Sequence, residues 1–347
     1  MWWWGLAFGI PTSLILSMRL CVGILRCYRY LRYRSLPDGV TLSEDLEGWK
    51  NVFGAAQPTK EQYFRSKDVT RYYRHTTNRD YLWLRSVIGA GMHTVLTAPK
   101  PIGWHALGTR QATLVLAEVC AVRARRVLEL GCGRGYCTLW LAALCPDVQF
   151  DAIDLLDEHV RVARSDANQA GLRNVRFILG DMNSHFEGQY DIVFGVESLC
   201  YVTSLPSFLR RVRQLLQPIG RLVIVDGFRS AGILSCSPDL RAAMQYVENG
   251  FCINTIHSKA HWTRWAKLSG LRPLVDRDFT IESLPFWLLG WWATRWVLKF
   301  PRLLRLYMNS SDRRRATVGT MCAITMVAHV LQDSAAAEYG LLVFGIK

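Results

Sequence analysis

The chain has 347 residues, half of them apolar and a fifth of them charged, which suits one catalytic domain with appendages and excludes wholesale disorder. Its net charge of +14 predicts an anionic partner, either phospholipid headgroups or nucleic acid. The ten cysteines form no paired CxxC motifs and no Cys/His array with zinc spacing, which argues against a disulfide framework and against a structural metal.

Residues 1–35 are predicted to be a membrane anchor with a basic flank. Residues 2–25 are almost wholly apolar, and about 20 such residues are enough to cross a bilayer. Three tryptophans open the segment and a run of tyrosine and arginine follows it, so the positive-inside rule orients the remainder toward the cytosol. Pro11 and Arg19 interrupt the segment, but Arg19 can snorkel to the interface. A cleaved signal peptide fits less well because no basic residue precedes the apolar stretch, and a buried helix is the third alternative.

Residues 36–101 are polar and aromatic without a strong period, and they are predicted to form a linker followed by a helical lid. Their aromatic and apolar side chains either line an apolar pocket or pack against the main domain. The side chains considered for such a pocket are Tyr72, Tyr73, Tyr81, Trp83 and Leu84.

Residues 102–347 are predicted to form one α/β domain, because strand and helix patterns alternate from residue 121 onward. Buried strands are predicted at 126–130, 148–154, 175–179, 191–196, 221–225 and 340–344. Helices are predicted at 136–144, 159–170 and 205–216, closed by proline or glycine. A doubly wound sheet of this kind binds its ligand at the carboxyl ends of the strands.

The strongest chemical signal is the sequence VLELGCGRG at residues 127–135, a strand that runs into a glycine-rich turn. Gly131, Gly133 and Gly135 let the backbone approach a ligand closely. A dinucleotide fingerprint would place its third glycine one residue later and bind a pyrophosphate. Glu129, just before the turn, instead suits a ligand that carries an ammonium group and no phosphate. S-adenosylmethionine is such a ligand.

Two later carboxylates favour the same cofactor. Asp154 ends the second predicted strand, where it can accept hydrogen bonds from ribose hydroxyls, and Leu155 follows it in the predicted cofactor site. Asp181 follows the third strand, where it can accept from the adenine amino group while Met182 packs on the base. Acids at both strand ends argue against a purely structural role for the glycine turn.

These segments resemble the class I S-adenosylmethionine-dependent methyltransferases over residues 103–229. Within that superfamily they are most similar to the sterol and tocopherol C-methyltransferases, through residues 196–201 (VESLCY) and 285–290 (PFWLLG). The aromatic sterol-binding signature expected before the glycine turn is not recognisable. The resemblance implies an α/β fold with a Rossmann-like doubly wound seven-stranded sheet, here with an N-terminal membrane-anchor helix and a helical lid. It also implies S-adenosyl-L-methionine as cofactor.

Two residues are predicted to be catalytic. Methyl transfer to an alkene carbon leaves a carbocation, which Glu197 could stabilise or deprotonate, although the same carboxylate could instead cap a helix or bind the cofactor. His93 is a rival base, as is His105, since both precede the glycine turn; the alternative for each is a structural role. His257 and His261 have the spacing of a helical metal pair but lack a third ligand, so no metal is predicted.

The segment 284–308 combines four tryptophans with Arg295, Lys299, Arg302 and Arg305. It could lie in a membrane interface, close over the active site as a lid, or pack as a helix with its basic face in water.

The sequence therefore predicts a membrane-anchored methyltransferase that acts on a lipophilic small molecule, such as a sterol, a prenylquinone or another isoprenoid. The alternatives are a polar small molecule or nucleic acid as the acceptor, and a non-catalytic scaffold. No Asn-Pro-Pro-Tyr tetrad follows the fourth strand and no RNA-binding module is recognisable, so no nucleic-acid partner is expected. The oligomeric state is not predicted.

Overall fold

The structure is a computed structural model of the 347-residue chain. It describes residues 36, 39–53, 63–77, 93–94, 96, 110–184, 186–230, 238–300, 302, 306–308, 310–329 and 337–346.

A seven-stranded sheet forms the centre of the described chain, in the order β3-β2-β1-β4-β5-β7-β6. The strands are β1 Arg126–Leu130, β2 Gln149–Asp154, β3 Val175–Leu179, β4 Tyr190–Val196, β5 Leu216–Arg229, β6 Leu271–Asp278 and β7 Ala337–Ile346. The first five pair in parallel, whereas β7 is antiparallel to both of its neighbours. The strand order reverses between β1 and β4, which is the point where open α/β sheets bind ligands.

Helices cover the sheet and extend beyond it. They are α1 Leu42–Phe53, α2 Ser66–Tyr72, α3 Arg110–Ala121, α4 Tyr136–Leu144, α5 Asp157–Gln169, α6 Leu205–Leu215, α7 Pro238–Phe251, α8 Lys259–Leu268, α9 Thr280–Val297 and α10 Ser311–Ala328. A π-helical turn, Tyr73–Thr77, continues α2, and a 3-10 turn, Leu199–Tyr201, follows β4.

The core has two layers because side chains of a strand alternate between the faces of the sheet. Along β5, Leu222 and Ile224 pack on one face with α6 and α8, while Val223 and Val225 pack on the other with α3 and α4. All four are completely or almost completely buried. Burial on both faces explains why these central strands are continuous apolar runs in the sequence.

The predicted strands are confirmed, with two corrections at the far side of the sheet. β5 begins at Leu216, five residues before its predicted start, and takes the last residue of the predicted helix. β6 was not located by the sequence. It is an edge strand that pairs with β7 alone, and most of its residues are exposed. An exposed edge strand tolerates charges and Pro273, so it lacks the alternating apolar pattern that identifies a half-buried strand.

A helical layer of α1, α7, α9 and α10 lies beside the sheet. α7 and α10 approach closely where Gly250 meets Gly319, since a Cβ on Gly250 would lie 2.5 Å from the Gly319 Cα. Asp45 of α1 fastens the layer: its carboxylate accepts from Trp291 Nε1 at 2.6 Å and Arg295 Nη1 at 2.6 Å, and its Oδ2 lies 2.8 Å from His329 Nε2.

No helix among the described residues is both long enough and apolar enough to cross a bilayer. The predicted anchor, residues 1–35, lies outside the described residues and stays a prediction.

Candidate functional site

The glycine-rich turn lies at the carboxyl end of β1, as predicted. The backbone N–H groups of Gly131 and Cys132 both donate to the carbonyl of Ile153, at 2.8 and 2.9 Å, and this fixes the turn against β2. Gly131, Gly133 and Gly135 all have left-handed φ values, of +76°, +53° and +80°. A side chain at these positions would strain the backbone, so the sequence requires glycine.

The three glycines differ in what surrounds them. A Cβ on Gly131 would lie 2.6 Å from the Ser198 Cβ, and one on Gly135 would lie 2.7 Å from the Phe177 ring. A Cβ on Gly133 would meet nothing within 4 Å; Gly131 and Gly133 both line a cavity beside the turn, whereas Gly135 does not. Gly131 and Gly135 therefore allow close packing within the protein, and Gly133 leaves open space against which a ligand can lie.

Glu129 lies beneath the turn and is not among the residues that line the cavity. Its side chain is buried, and the Thr138 hydroxyl of α4 donates to Oε2. Burial raises the pKa of Glu129 to about 7, and the Thr138 hydrogen bond partly opposes that rise. The carboxyl therefore connects the end of β1 to α4, beside the turn that it precedes.

Asp154 at the end of β2 lines the cavity and connects three neighbours. Its Oδ2 accepts from the backbone N–H of Gly133 at 2.8 Å, and its Oδ1 accepts from that of Leu156 at 3.0 Å. His159 of α5 contacts the same Oδ1 through Nδ1 at 3.1 Å. The adjacent Leu155 also lines the cavity. The carboxylate thus orients the glycine turn and retains acceptor capacity for a hydroxyl in the cavity.

Asp181 follows β3 and lies on the same cavity wall as Met182. Its Oδ1 accepts from the Asn183 backbone at 2.8 Å, and the Ser66 hydroxyl of α2 donates to Oδ2. Because α2 lies in the predicted lid region, this hydrogen bond connects that region to the predicted adenine end of the site.

Glu197 has an unusual backbone conformation, with a left-handed φ of +48°. Such a conformation costs about 1–3 kcal/mol in a residue other than glycine and persists only where the surroundings enforce it. The carboxylate Oε1 accepts from the backbone N–H of Thr94 at 2.7 Å and from the Tyr339 hydroxyl at 2.6 Å. Gln111 supports both donors: its Nε2 donates to the Thr94 carbonyl and to the Tyr339 oxygen. The Glu197 carboxylate is therefore held in one orientation at the cavity wall.

His93 and Asp226 also line the cavity near Glu197. Burial lowers the pKa of His93, against the opposing charge of Glu197, and keeps the ring neutral near pH 7. Its buried Nδ1 has no hydrogen-bond partner among the described residues. Burial, and then the charge of Glu197, raises the pKa of Asp226 to about 7. The site therefore holds an oriented carboxylate beside a neutral imidazole and a second carboxyl that binds protons readily.

The cavity has a volume of about 850 Å³ and reaches from the glycine turn to the helical layer. Tyr72 and Tyr73 line it, as one reading of the sequence predicted, whereas Tyr81, Trp83 and Leu84 lie outside the described residues. The part of the cavity wall that comes from α2, α7, α9 and α10, called here the apolar lobe, is mainly apolar and aromatic. Its walls include Val69, Met244, Val247, Phe251, Phe286, Trp287, Met321 and Ile324.

Of the other histidines considered in the sequence, the structure describes His257 and His261. His257 and His261 stack with ring centroids 4.8 Å apart, and His261 Nε2 accepts from Trp265 at 3.0 Å. The described part of the chain contains no group of three His, Cys, Asp or Glu residues that could hold a metal. His105 lies outside the described residues.

Sequence reasoning missed several residues of this site. Asp226 is the residue after the predicted fifth strand, so the rule that identified Asp154 and Asp181, an acid at a strand end, applies to it as well. Tyr339 and Thr94 carry no such signal, because only the folded chain brings them to Glu197, over separations of 142 and 103 residues.

The geometry fits S-adenosylmethionine. The open space at Gly133 belongs to the same cavity as Asp154 at the end of β2 and Asp181 after β3, beside the switch point of the sheet. This arrangement suits a ligand with a ribose and an adenine and without phosphates.

Comparison with known proteins identifies a methyltransferase domain in the same part of the chain. Residues 122–270 match a family model described as Methyltransferase domain. Norajmaline N-methyltransferase of Rauvolfia serpentina is 25% identical over 170 residues, 47% of this chain and 58% of that protein. The S-adenosyl-L-methionine-dependent Diels-Alderase iccD of Talaromyces variabilis is 31% identical over 171 residues, 46% of this chain and 57% of that protein. Geranyl diphosphate C-methyltransferase from Streptomyces coelicolor A3(2) aligns with a TM-score of 0.59 at 17% identity, over 81% of this chain and 98% of that one.

The chain spans less than two thirds of the length of these two curated relatives, and the structural similarity at 17% identity establishes the fold alone. Residues 122–270 form a methyltransferase domain, and the glycine turn with its neighbouring acids fits S-adenosylmethionine as the cofactor of that domain. The comparisons do not single out the sterol and tocopherol group.

Proposed function

We propose that this protein transfers the methyl group of S-adenosylmethionine to a lipophilic small molecule, such as a sterol, a prenylquinone or another isoprenoid. The observation that carries the proposal is the continuity of the cavity, which runs from the glycine turn into a large apolar lobe. A cavity of this size and lining can bury most of the surface of an apolar ligand. The names of two relatives, which refer to norajmaline and geranyl diphosphate, support a small-molecule acceptor.

Bound S-adenosylmethionine supplies an electrophilic methyl group. The protein has to align the acceptor with that group and to exclude water. Glu197 is suited to stabilise positive charge on the acceptor or to remove its proton, because Thr94 and Tyr339 fix its Oε1 and no described residue donates to Oε2. His93, neutral near pH 7, is the alternative base.

The proposal includes a membrane location. Residues 1–35 would be a single-pass anchor, with the methyltransferase domain on the cytosolic side. Such an anchor would hold the apolar lobe near the membrane, where a water-insoluble acceptor is concentrated.

Methyl transfer from labelled cofactor tests the acceptor class. Membranes that contain the protein should yield label in the organic phase of a lipid extract. Glu197→Gln should reduce turnover more than cofactor affinity, whereas the same change at the exposed Glu187, which does not line the cavity, should change neither. Label found only in RNA, protein or polar metabolites would refute the lipophilic acceptor. A fully active Glu197→Gln enzyme would refute only the role of that residue.

A cycloaddition in the same cavity is a second candidate, favoured by the 31% identity to the Diels-Alderase iccD. It predicts that a lipophilic substrate is converted in the presence of cofactor while no label leaves the cofactor.

A further inference from the structure

Exposed apolar side chains are concentrated in one stretch of the chain, between residues 281 and 307. Twelve large apolar side chains are exposed among the described residues, and six of them lie between residues 281 and 307. Large apolar patches on soluble surfaces commonly mark interaction sites. The six are Ile281, Trp292, Trp296, Phe300, Leu306 and Tyr307.

Helix α9 explains this concentration, because apolar residues surround its whole circumference. A helix of this kind is normally buried on every side. Its inner face is buried: Trp291 is bonded to Asp45, and Trp287 lines the cavity. Its outer face carries Trp292 and Trp296, which are 38% and 62% exposed and lie one helical turn apart. Packing within this chain therefore does not explain why the outer face of α9 is apolar.

The aromatic stripe extends beyond the helix. The Trp296 and Phe300 rings lie 5.0 Å apart and tilted by 58°. Leu306 and Tyr307, farther along the chain, are also exposed, and the Arg313 guanidinium lies 5.8 Å from the Tyr307 ring centroid. We define Trp292, Trp296, Phe300, Leu306 and Tyr307 as the aromatic surface.

Positive charge accompanies the aromatic surface. Residues 283–311 contain four Lys or Arg and no Asp or Glu. Lys299 and Arg302 are exposed, and Arg295 is exposed at 44% of its side chain although it pairs with Asp45. Tryptophan beside lysine and arginine matches the boundary between lipid headgroups and acyl chains. The charge complements anionic phospholipid rather than a neutral membrane.

We propose that the aromatic surface docks on the face of a bilayer that contains anionic phospholipid. α9 lies along the bilayer rather than across it, because its inner face packs against Asp45 and the cavity. The tryptophan and phenylalanine rings enter the interfacial layer, and Lys299 and Arg302 pair with phosphate or carboxylate groups of the lipids. This contact is separate from the anchor at residues 1–35 and does not require it.

Docking would bring the cavity to the membrane. α9 forms part of the cavity wall through Phe286, Trp287 and Gly290, and Tyr307 belongs both to that wall and to the aromatic surface. An acceptor dissolved in the bilayer would then enter the apolar lobe without crossing water. This consequence rests on the proposed function, whereas the docking itself does not.

Hydrogen exchange of the full chain in lipid nanodiscs tests the docking without any acceptor or cofactor. Backbone amides of residues 298–308 should exchange at least about fivefold more slowly in phosphatidylcholine with a quarter phosphatidylserine than in phosphatidylcholine alone. Amides of α6 should exchange equally in both, which also reports that the fold is intact.

Two variants and one control sharpen the test. Lys299→Glu with Arg302→Glu should abolish the slowing, as should Trp292→Ser with Trp296→Ser. Arg264→Glu with Lys267→Glu, an equal charge reversal at exposed positions of α8, should retain it. Equal exchange in the two lipid mixtures would overturn the proposal, as would slowing that survives both surface variants. Slowing by a polyuridine oligonucleotide in the absence of phosphatidylserine would identify a nucleic-acid surface instead.

Discussion

Gly133→Arg should abolish cofactor binding while the protein remains folded. Gly133 has a φ of +53°, so any side chain costs about 1–2 kcal/mol of backbone strain. In a domain of this size that cost lowers Tm by roughly 2–8 °C. A Cβ at this position meets no protein atom within 4 Å, so no clash with the protein adds to the strain. The arginine side chain would instead occupy the cavity where the cofactor lies against the turn.

Isothermal calorimetry with S-adenosylmethionine measures the loss. Gly133→Arg should show no binding, and Gly133→Ala should weaken binding by about 5- to 100-fold, from the roughly 1–3 kcal/mol that overpacking costs. Gly171→Arg is the matched control. Gly171 has a similar φ of +68°, also has nothing within 4 Å of its Cβ, and does not line the cavity. It should lose comparable stability and keep full affinity.

Gly135→Ala gives the contrasting case, because its Cβ would lie 2.7 Å from the Phe177 ring. It should lower Tm by more than Gly133→Ala does, through the same strain plus overpacking.

A folded Gly133→Arg protein with unchanged affinity would refute the assignment of the open space at Gly133 to the cofactor.

Three further predictions concern the site and the anchor. Asp154→Ala should weaken cofactor binding by about 10- to 100-fold in calorimetry, because it removes charged hydrogen bonds to the turn worth roughly 1.5–3 kcal/mol; unchanged affinity would exclude it from the site. Burial, and then the charge of Glu197, raises the pKa of Asp226 from its ordinary value of 3.8 to about 7, so the native state binds the proton more tightly and stability should fall as pH rises from about 4 to 7. Asp226→Asn should flatten that part of the Tm–pH curve, and an identical curve would contradict the assignment. Deleting residues 1–34 should release part of the protein from the membrane pellet, with cofactor binding intact, because the aromatic surface still holds the rest; full retention would identify the aromatic surface as the principal membrane contact.

Much of the fold was predictable because central parallel strands are buried on both faces and therefore form continuous apolar runs. The starts and ends of β1 and β3 agree with the sequence prediction to the residue. β6 escaped because an edge strand with one partner carries charges on exposed positions. β5 was predicted too short because residues 217–219 are half-buried or exposed and include Pro218, so a continuous apolar run marks only its buried middle.

The glycine turn and the acids at the ends of β2 and β3 can be recognised in the sequence, because their function depends on backbone conformation and strand ends, which are local properties. The support of Glu197 can be seen only in the folded chain, because Thr94 and Tyr339 lie 103 and 142 residues away from it and no spacing rule connects them. The role of 284–308 was likewise open in the sequence, since a helix that is apolar all round can be buried or can contact a membrane. Contacts with α1 and α10 determine which face of α9 lines the cavity and which face stays exposed, and the sequence of α9 alone does not reveal these contacts.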